Sequence, residues 1–154
     1  MKVLLRAIIV VAIAVGLFLA DQLLIRSSDE AAFAQLPAPY QKIAVYPNAQ
    51  NVWRGTAQQK IIGFPTTRIT TFTTSDSTDK VMHFYRSTLP GSGWEYDTHG
   101  DVTFGCAPTT YYNGDFYANA QNDHVWVAAK NVGGNTEYQI FKVSATFWQY
   151  GECP

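Results

Sequence analysis

The 154-residue chain carries 11 Lys and Arg against 12 Asp and Glu, a formal net charge of −1, and 47% of it is hydrophobic. That length leaves room for one domain of ordinary size. A near-neutral chain without a basic cluster lacks the electrostatic footprint of a nucleic-acid binder, so that partner class is set aside.

Lys2 and Arg6 precede an uncharged run from Ala7 to Ala20, followed by Asp21, Gln22, Leu23 to Ile25 and Arg26. A spanning helix needs about 20 apolar residues. Val3 to Ile25 suffices if Arg6 snorkels to one interface and Asp21 lies near the other. The basic start favours a cytoplasmic N-terminus with the rest of the chain extracytoplasmic, facing the periplasm in a bacterium. A cleaved secretory signal is the alternative, because Ala32, Phe33 and Ala34 form an A-x-A pattern. Asp21, Arg26, Asp29 and Glu30 would make that cleavage region long and charged, which favours a retained anchor over residues 1–26. Both readings export the remainder. The two cysteines, Cys106 and Cys153, are therefore expected to pair as a disulfide, with free buried thiols as the alternative.

Ser27 to Pro39 shows no sustained apolar period and reads as a linker, stiffened at Pro37 and Pro39. The domain is expected over residues 40–154. Tyr46, Pro47 and Asn48 signal a turn before a brief strand ending at Trp53. Lys60 to Thr74 reads as a strand in which Pro65 demands an edge position or a break.

Phe72 to Trp94 is the most legible stretch. Ser75, Asp76, Ser77 and Thr78 offer N-cap oxygens, and Asp79 in the first turn suits the helix dipole. Val81, Phe84, Tyr85, Thr88 and Leu89 recur at the spacing of one helical stripe, while Asp79, His83, Arg86 and Ser87 face away. Pro90 and Gly91 stop the helix, and Gly93 and Trp94 open a strand.

Trp94 and Tyr96, the His99–Gly100–Asp101 turn, then Val102, Phe104 and Cys106 carry a hairpin signature. Asn113 and Gly114 form a tight-turn pair, Phe116 to Ala120 and His124 to Lys130 read as strands, and Glu137 to Trp148 as a long final one. In that strand the Phe141 series is the more apolar and is expected to face the core. The sum is an α+β fold: an antiparallel sheet of five or six strands packed against one amphipathic helix.

Motifs for chemistry are sparse. His83, His99 and His124 match no zinc pattern, and there is no CxxC; the Asp97, His99 and Asp101 cluster reads as ordinary turn chemistry. No serine stands in G-x-S-x-G or S-x-x-K, and Glu95, Asp97, Asp101 and Asp115 have no spacing that pairs them for glycoside chemistry. Neither a cofactor nor enzymatic activity is expected.

YPNAQNVW at residues 46–53 and FTTSDSTDKVMHFYRSTLPGSGW at residues 72–94 carry a wider pattern: YPxAxxV, then T-S-D-S, a V-x-x-F-Y-x-x-x-L helix and G-W. In this the chain resembles a group of exported or membrane-anchored bacterial domains to which no activity attaches. The resemblance implies the strand–helix–strand unit and an extracytoplasmic address, and transfers no functional residue. The expected function is that of a non-catalytic, membrane-anchored interaction domain, an accessory subunit of a larger membrane complex. The alternative is a small-ligand or glycan-binding module using exposed aromatics, with Trp53, Tyr111, Tyr112 and Tyr117 as its surface.

Overall fold

The computed structural model of the protein describes residues 11–16, 20, 27–61, 64–97, 102–104, 112–132 and 135–143. Residues 11–16 are helical, with Val11, Ile13 and Val15 each more than half exposed. Among the described residues no helix is long and apolar enough to cross a membrane. Most of the span expected over Val3 to Ile25 lies outside them, as do Cys106, Cys153, Tyr111, His99 and Asp101.

Residues 27–61 are described without a break. A helix, α1, covers residues 27–34, and a single helical turn, α2, covers Ala38–Gln41 with Pro37 ahead of it and Pro39 inside its first turn. Phe33 of α1 and Tyr40 of α2 are both buried in the main core. The stretch read as a linker is thus a packed part of the domain. The turn at residues 46–48 forms as expected, with the Ala49 amide donating to the Tyr46 carbonyl at 3.0 Å.

Seven antiparallel strands follow: β1 (Gln50–Ile61), β2 (Phe64–Thr73), β3 (Trp94–Tyr96), β4 (Val102–Phe104), β5 (Tyr112–Asn119), β6 (His124–Val132) and β7 (Asn135–Val143). Their spatial order is β1-β2-β7-β6-β5-β3, with β4 also on β5. The fold class is α+β as expected, with one strand more than the largest number predicted. Pro65 pairs with Lys60 of β1, and β7 joins β2 only from Thr67 onward. Among the described residues Pro65, which has no N–H to give, has a strand neighbour on the β1 side alone.

The β3–β4 hairpin does not form. Trp94–Tyr96 pairs with Asn119–Tyr117, and Val102–Phe104 pairs with Gly114–Tyr112, so both short strands lie in line along one edge of β5. Nor do Asn113 and Gly114 turn the chain, since both lie inside β5 opposite Ala129 and Ala128. A Cβ on Gly114 would meet the Val127 carbonyl oxygen at 2.0 Å and the Trp126 Nε1 at 2.8 Å. The glycine is there for close approach, the other reason for one inside a strand.

β2 lies on one side of the meander β5-β6-β7 and β3 on the other, so the chain between them must cross the sheet. The helix α3 (Thr78–Thr88) makes that crossing. Ser77 caps it, accepting from the Lys80 amide, and a 3-10 turn at Pro90–Ser92 ends it with Gly93 left-handed at φ 86°. Val81, Met82, Tyr85 and Leu89 are buried beneath it, with Phe84 half-buried. Met82, outside the predicted stripe, widens the apolar face.

The residues under α3 include Ile69 and Phe72 of β2, Tyr117 of β5, Val125, Val127 and Ala129 of β6, and Tyr138 and Ile140 of β7. On β7 the Tyr138 series faces the helix, while the Phe141 series, expected to face the core, is buried on the other side of the sheet. Phe141 is fully buried on the opposite face, stacked on Trp126 at 5.2 Å, and Trp126 on Phe116 at 5.3 Å. A strand buried on both faces leaves no polar side to read, so alternation fails as a guide.

Candidate functional site: a half-buried arginine and a buried tyrosine

Arg54 of β1 stands opposite Thr70 of β2, at a point where the ladder is irregular: the β1–β2 register shifts between Arg54 and Ala57, and the β2–β7 register shifts between Arg68 and Thr70. Such bulges bend a strand and re-aim its side chains. Arg54 points among apolar groups. Its guanidinium lies 4.1 Å from the centre of the Phe33 ring. Its Nη2 donates to the carbonyls of Ile43 at 3.0 Å and Gln41 at 3.5 Å. Its Nε is buried without a partner. Removal from water lowers the Arg54 pKa below the ordinary arginine value, because burial disfavours the charged form.

Tyr85 of α3 is the second member. It is fully buried, in contact with Phe72 at 6.4 Å and Phe84 at 5.1 Å between ring centres. Its hydroxyl is buried without a hydrogen-bond partner of ordinary geometry, and the nearby Tyr46 backbone acts to lower its pKa. Burial raises the Tyr85 pKa, and Arg54 pulls it the other way, so the hydroxyl and the guanidinium feel each other's charge. A half-buried cation whose Nε is out of water without a carboxylate, and a buried hydroxyl without an acceptor, are both costly. Aromatic rings flank each of them: Phe33 lies against the Arg54 guanidinium, and Phe72 and Phe84 lie against the Tyr85 ring. The arrangement suits an apolar molecule with an anionic end.

Arg86 of α3 grips Asp115 of β5 through two hydrogen bonds, at 2.6 and 2.7 Å. Asp76 accepts from Tyr46 Oη at 2.7 Å, Asn48 Nδ2 at 2.8 Å and Lys80 Nζ at 2.7 Å, which ties the 46–48 turn to the start of α3.

Two of the residues singled out as an aromatic surface, Trp53 and Tyr117, can be placed, and they lie on different strands. Tyr117 is fully buried beneath α3, its hydroxyl donating to Asp115 Oδ2 at 3.4 Å, and offers no face to solvent. Trp53 is half-buried on β1, its Nε1 donating to Asp29 of α1 at 2.7 Å. Tyr112 lies on β5, where its backbone alone is described, and Tyr111 lies outside the described residues. Of the other candidates, His83 is exposed on α3, His124 is buried at the start of β6, and Asp115 is engaged by Arg86. Among the described residues no group of His, Cys, Asp and Glu is gathered that would hold a metal ion. Arg54 and Tyr85 were not foreseen as a site. The available signal was an arginine flanked on both sides by uncharged residues in β1, and a tyrosine on the apolar stripe of a helix.

An antiparallel sheet crossed by one helix, with polar atoms left unmatched between the two, defines a class of small α+β domain. A family model described as START domain-like matches residues 54–137, from Arg54 in β1 through α3 to the start of β7. The chain belongs to the START domain-like family. Searches of curated proteins and of solved structures find no significant match.

Proposed function

We propose that the domain binds a small apolar acid, whose carboxylate meets Arg54 Nε and the Tyr85 hydroxyl while its apolar part lies against the flanking rings. The observation that carries this reading is two unmatched buried polar atoms, Arg54 Nε and Tyr85 Oη, whose side chains act on each other electrostatically. Membership of the START domain-like family supports it, because that match suggests a ligand-binding fold. The role is binding without catalysis. A carboxylate would give Arg54 the counter-charge that its present partners, two carbonyls and a phenyl ring, do not supply.

The test is isothermal titration of the full-length protein in a non-ionic detergent with octanoate, against methyl octanoate as the neutral control. Octanoate should bind, and Arg54→Gln should weaken it by about tenfold or more. Equal binding of acid and ester, or binding of neither, would defeat the reading.

A second reading concerns the setting of the domain. Lys2, Arg6, the apolar run to Ile25 and the exposed Val11, Ile13 and Val15 support a membrane anchor that holds the domain outside the cytoplasm. On this reading the protein is a non-catalytic subunit of a membrane complex, with a Cys106–Cys153 disulfide. Its recovery as a lone monomer after extraction in mild detergent would count against the subunit role. Free thiols at both cysteines in the native protein would count against the disulfide.

A further inference from the structure

The sheet face turned away from α3 carries a second arginine with an unmatched nitrogen. Arg68 of β2 stands opposite Phe141 of β7, and Phe141 opposite Trp126 of β6, so these three side chains share a face. Two residues back along β7, on the same face, is Gln139. It stands opposite Thr71, which itself stands opposite Trp53 of β1. The Arg68 guanidinium lies 5.1 Å from the Trp53 ring centre and so bridges the two rows. Trp53 is held in turn by its hydrogen bond to Asp29 and by Gly55, where a Cβ would come within 2.5 Å of the indole.

Two polar atoms in this frame are buried without a partner: Arg68 Nε and Gln139 Oε1. Gln139 is 2% exposed. Its Nε2 donates to Glu137 Oε1, so the amide is oriented, and its oxygen is the end left over. One atom is a donor and the other an acceptor. They stand on adjacent strands at diagonal positions, which in an antiparallel pair are about 7–8 Å apart at the backbone. Flat rings flank them, Trp53 on one side and Phe141 with Trp126 on the other. The bulge beside Arg68 is a device that proteins place next to binding sites.

We propose that Arg68, Gln139 and Trp53 form a second ligand site, separate from the Arg54–Tyr85 spot, that takes a small planar primary carboxamide. The ligand's carbonyl oxygen accepts from Arg68 Nε, its amide N–H donates to Gln139 Oε1, and its ring lies against the aromatic side chains. A carboxylate would satisfy Arg68 but set a second acceptor against Gln139 Oε1. A cationic ligand is disfavoured by the guanidinium. The site therefore selects a neutral group that is acceptor at one end and donor at the other.

The test uses the full-length, nitrogen-15-labelled protein titrated with benzamide, with benzoate and N,N-dimethylbenzamide as comparators. The readout is the Arg68 Nε–H resonance, assigned through its loss in Arg68→Lys. Benzamide should shift it saturably. Both comparators, and benzamide on Gln139→Met, should bind about tenfold more weakly or worse. Where Gln139→Met does not fold, the three compounds on the unaltered protein still decide. A resonance that stays in place with benzamide, or moves equally with the dimethyl compound, overturns the proposal.

Discussion

Arg86 and Asp115 join the crossing helix to the sheet through a fork of two hydrogen bonds, and they do so unequally. The Asp115 side chain is 1% exposed and that of Arg86 50%. The carboxylate draws the Arg86 pKa up from its ordinary value. The consequence is an asymmetry in what each loss costs. Arg86→Met strands a charge inside the protein and should destabilise it by about 3 kcal/mol. Asp115→Asn frees a cation that water can reach and should cost about 1 kcal/mol. Urea unfolding of the two variants checks the order, and a larger loss for Asp115→Asn would show that the pair is not organised in this way.

Asp76 gives a dependence on pH. Its carboxyl is held at about 2, below the ordinary 3.8, first by the hydrogen bond from Lys80 and then by those from Asn48 and Tyr46. A group whose pKa is depressed by folding adds stability above its unfolded value and loses that stability as the pH falls through the folded one. The contribution should therefore be complete above about pH 4 and fade toward pH 2. Melting temperatures measured across that range should fall less steeply for Asp76→Asn than for the unaltered protein.

Tyr85→Phe separates stability from binding. The hydroxyl is buried without a partner, so its removal relieves a desolvation cost and should stabilise the ligand-free protein by about 1 kcal/mol. The same change should weaken octanoate binding. Thermal melting and titration on one preparation measure both, and a variant that binds as before while melting lower would count against the site.

Gly114→Ala probes the close approach of β5 to β6. The added methyl meets the Val127 carbonyl at 2.0 Å, and that atom belongs to the backbone and cannot rotate aside. Destabilisation of about 3 kcal/mol or more is expected, whereas a tight turn at this position would have shown strain through its backbone angles instead. Chemical denaturation measures the loss, and a loss below about 1 kcal/mol would contradict the packing.

The helix was legible because α3 announces itself three times over, by a serine cap, an apolar stripe and a Pro-Gly stop. The 46–48 turn and the β5-β6-β7 meander were legible through turn residues between β-forming runs. α1 was missed because its apolar stripe is short, although Ser27 and Ser28 followed by Asp29 and Glu30 are a helix start. Gly114 misled because Asn-Gly marks a turn only where the flanking residues do not pair onward. The site was illegible for a different reason. Arg54 and Tyr85 are 31 positions apart in the numbering, and what singles them out is a missing partner, which a sequence does not display.

The docking of α1 bears on how the domain is carried. Phe33 reaches the core and Asp29 holds the Trp53 indole, so α1 is docked against the sheet. A fragment cut at Pro39, where composition suggests a boundary, would take the phenyl ring off Arg54 and the acceptor from Trp53, disturbing both faces of the sheet together. Whatever precedes residue 27 is coupled to a body that starts at once, and a pull on that end would be felt first at the two arginines.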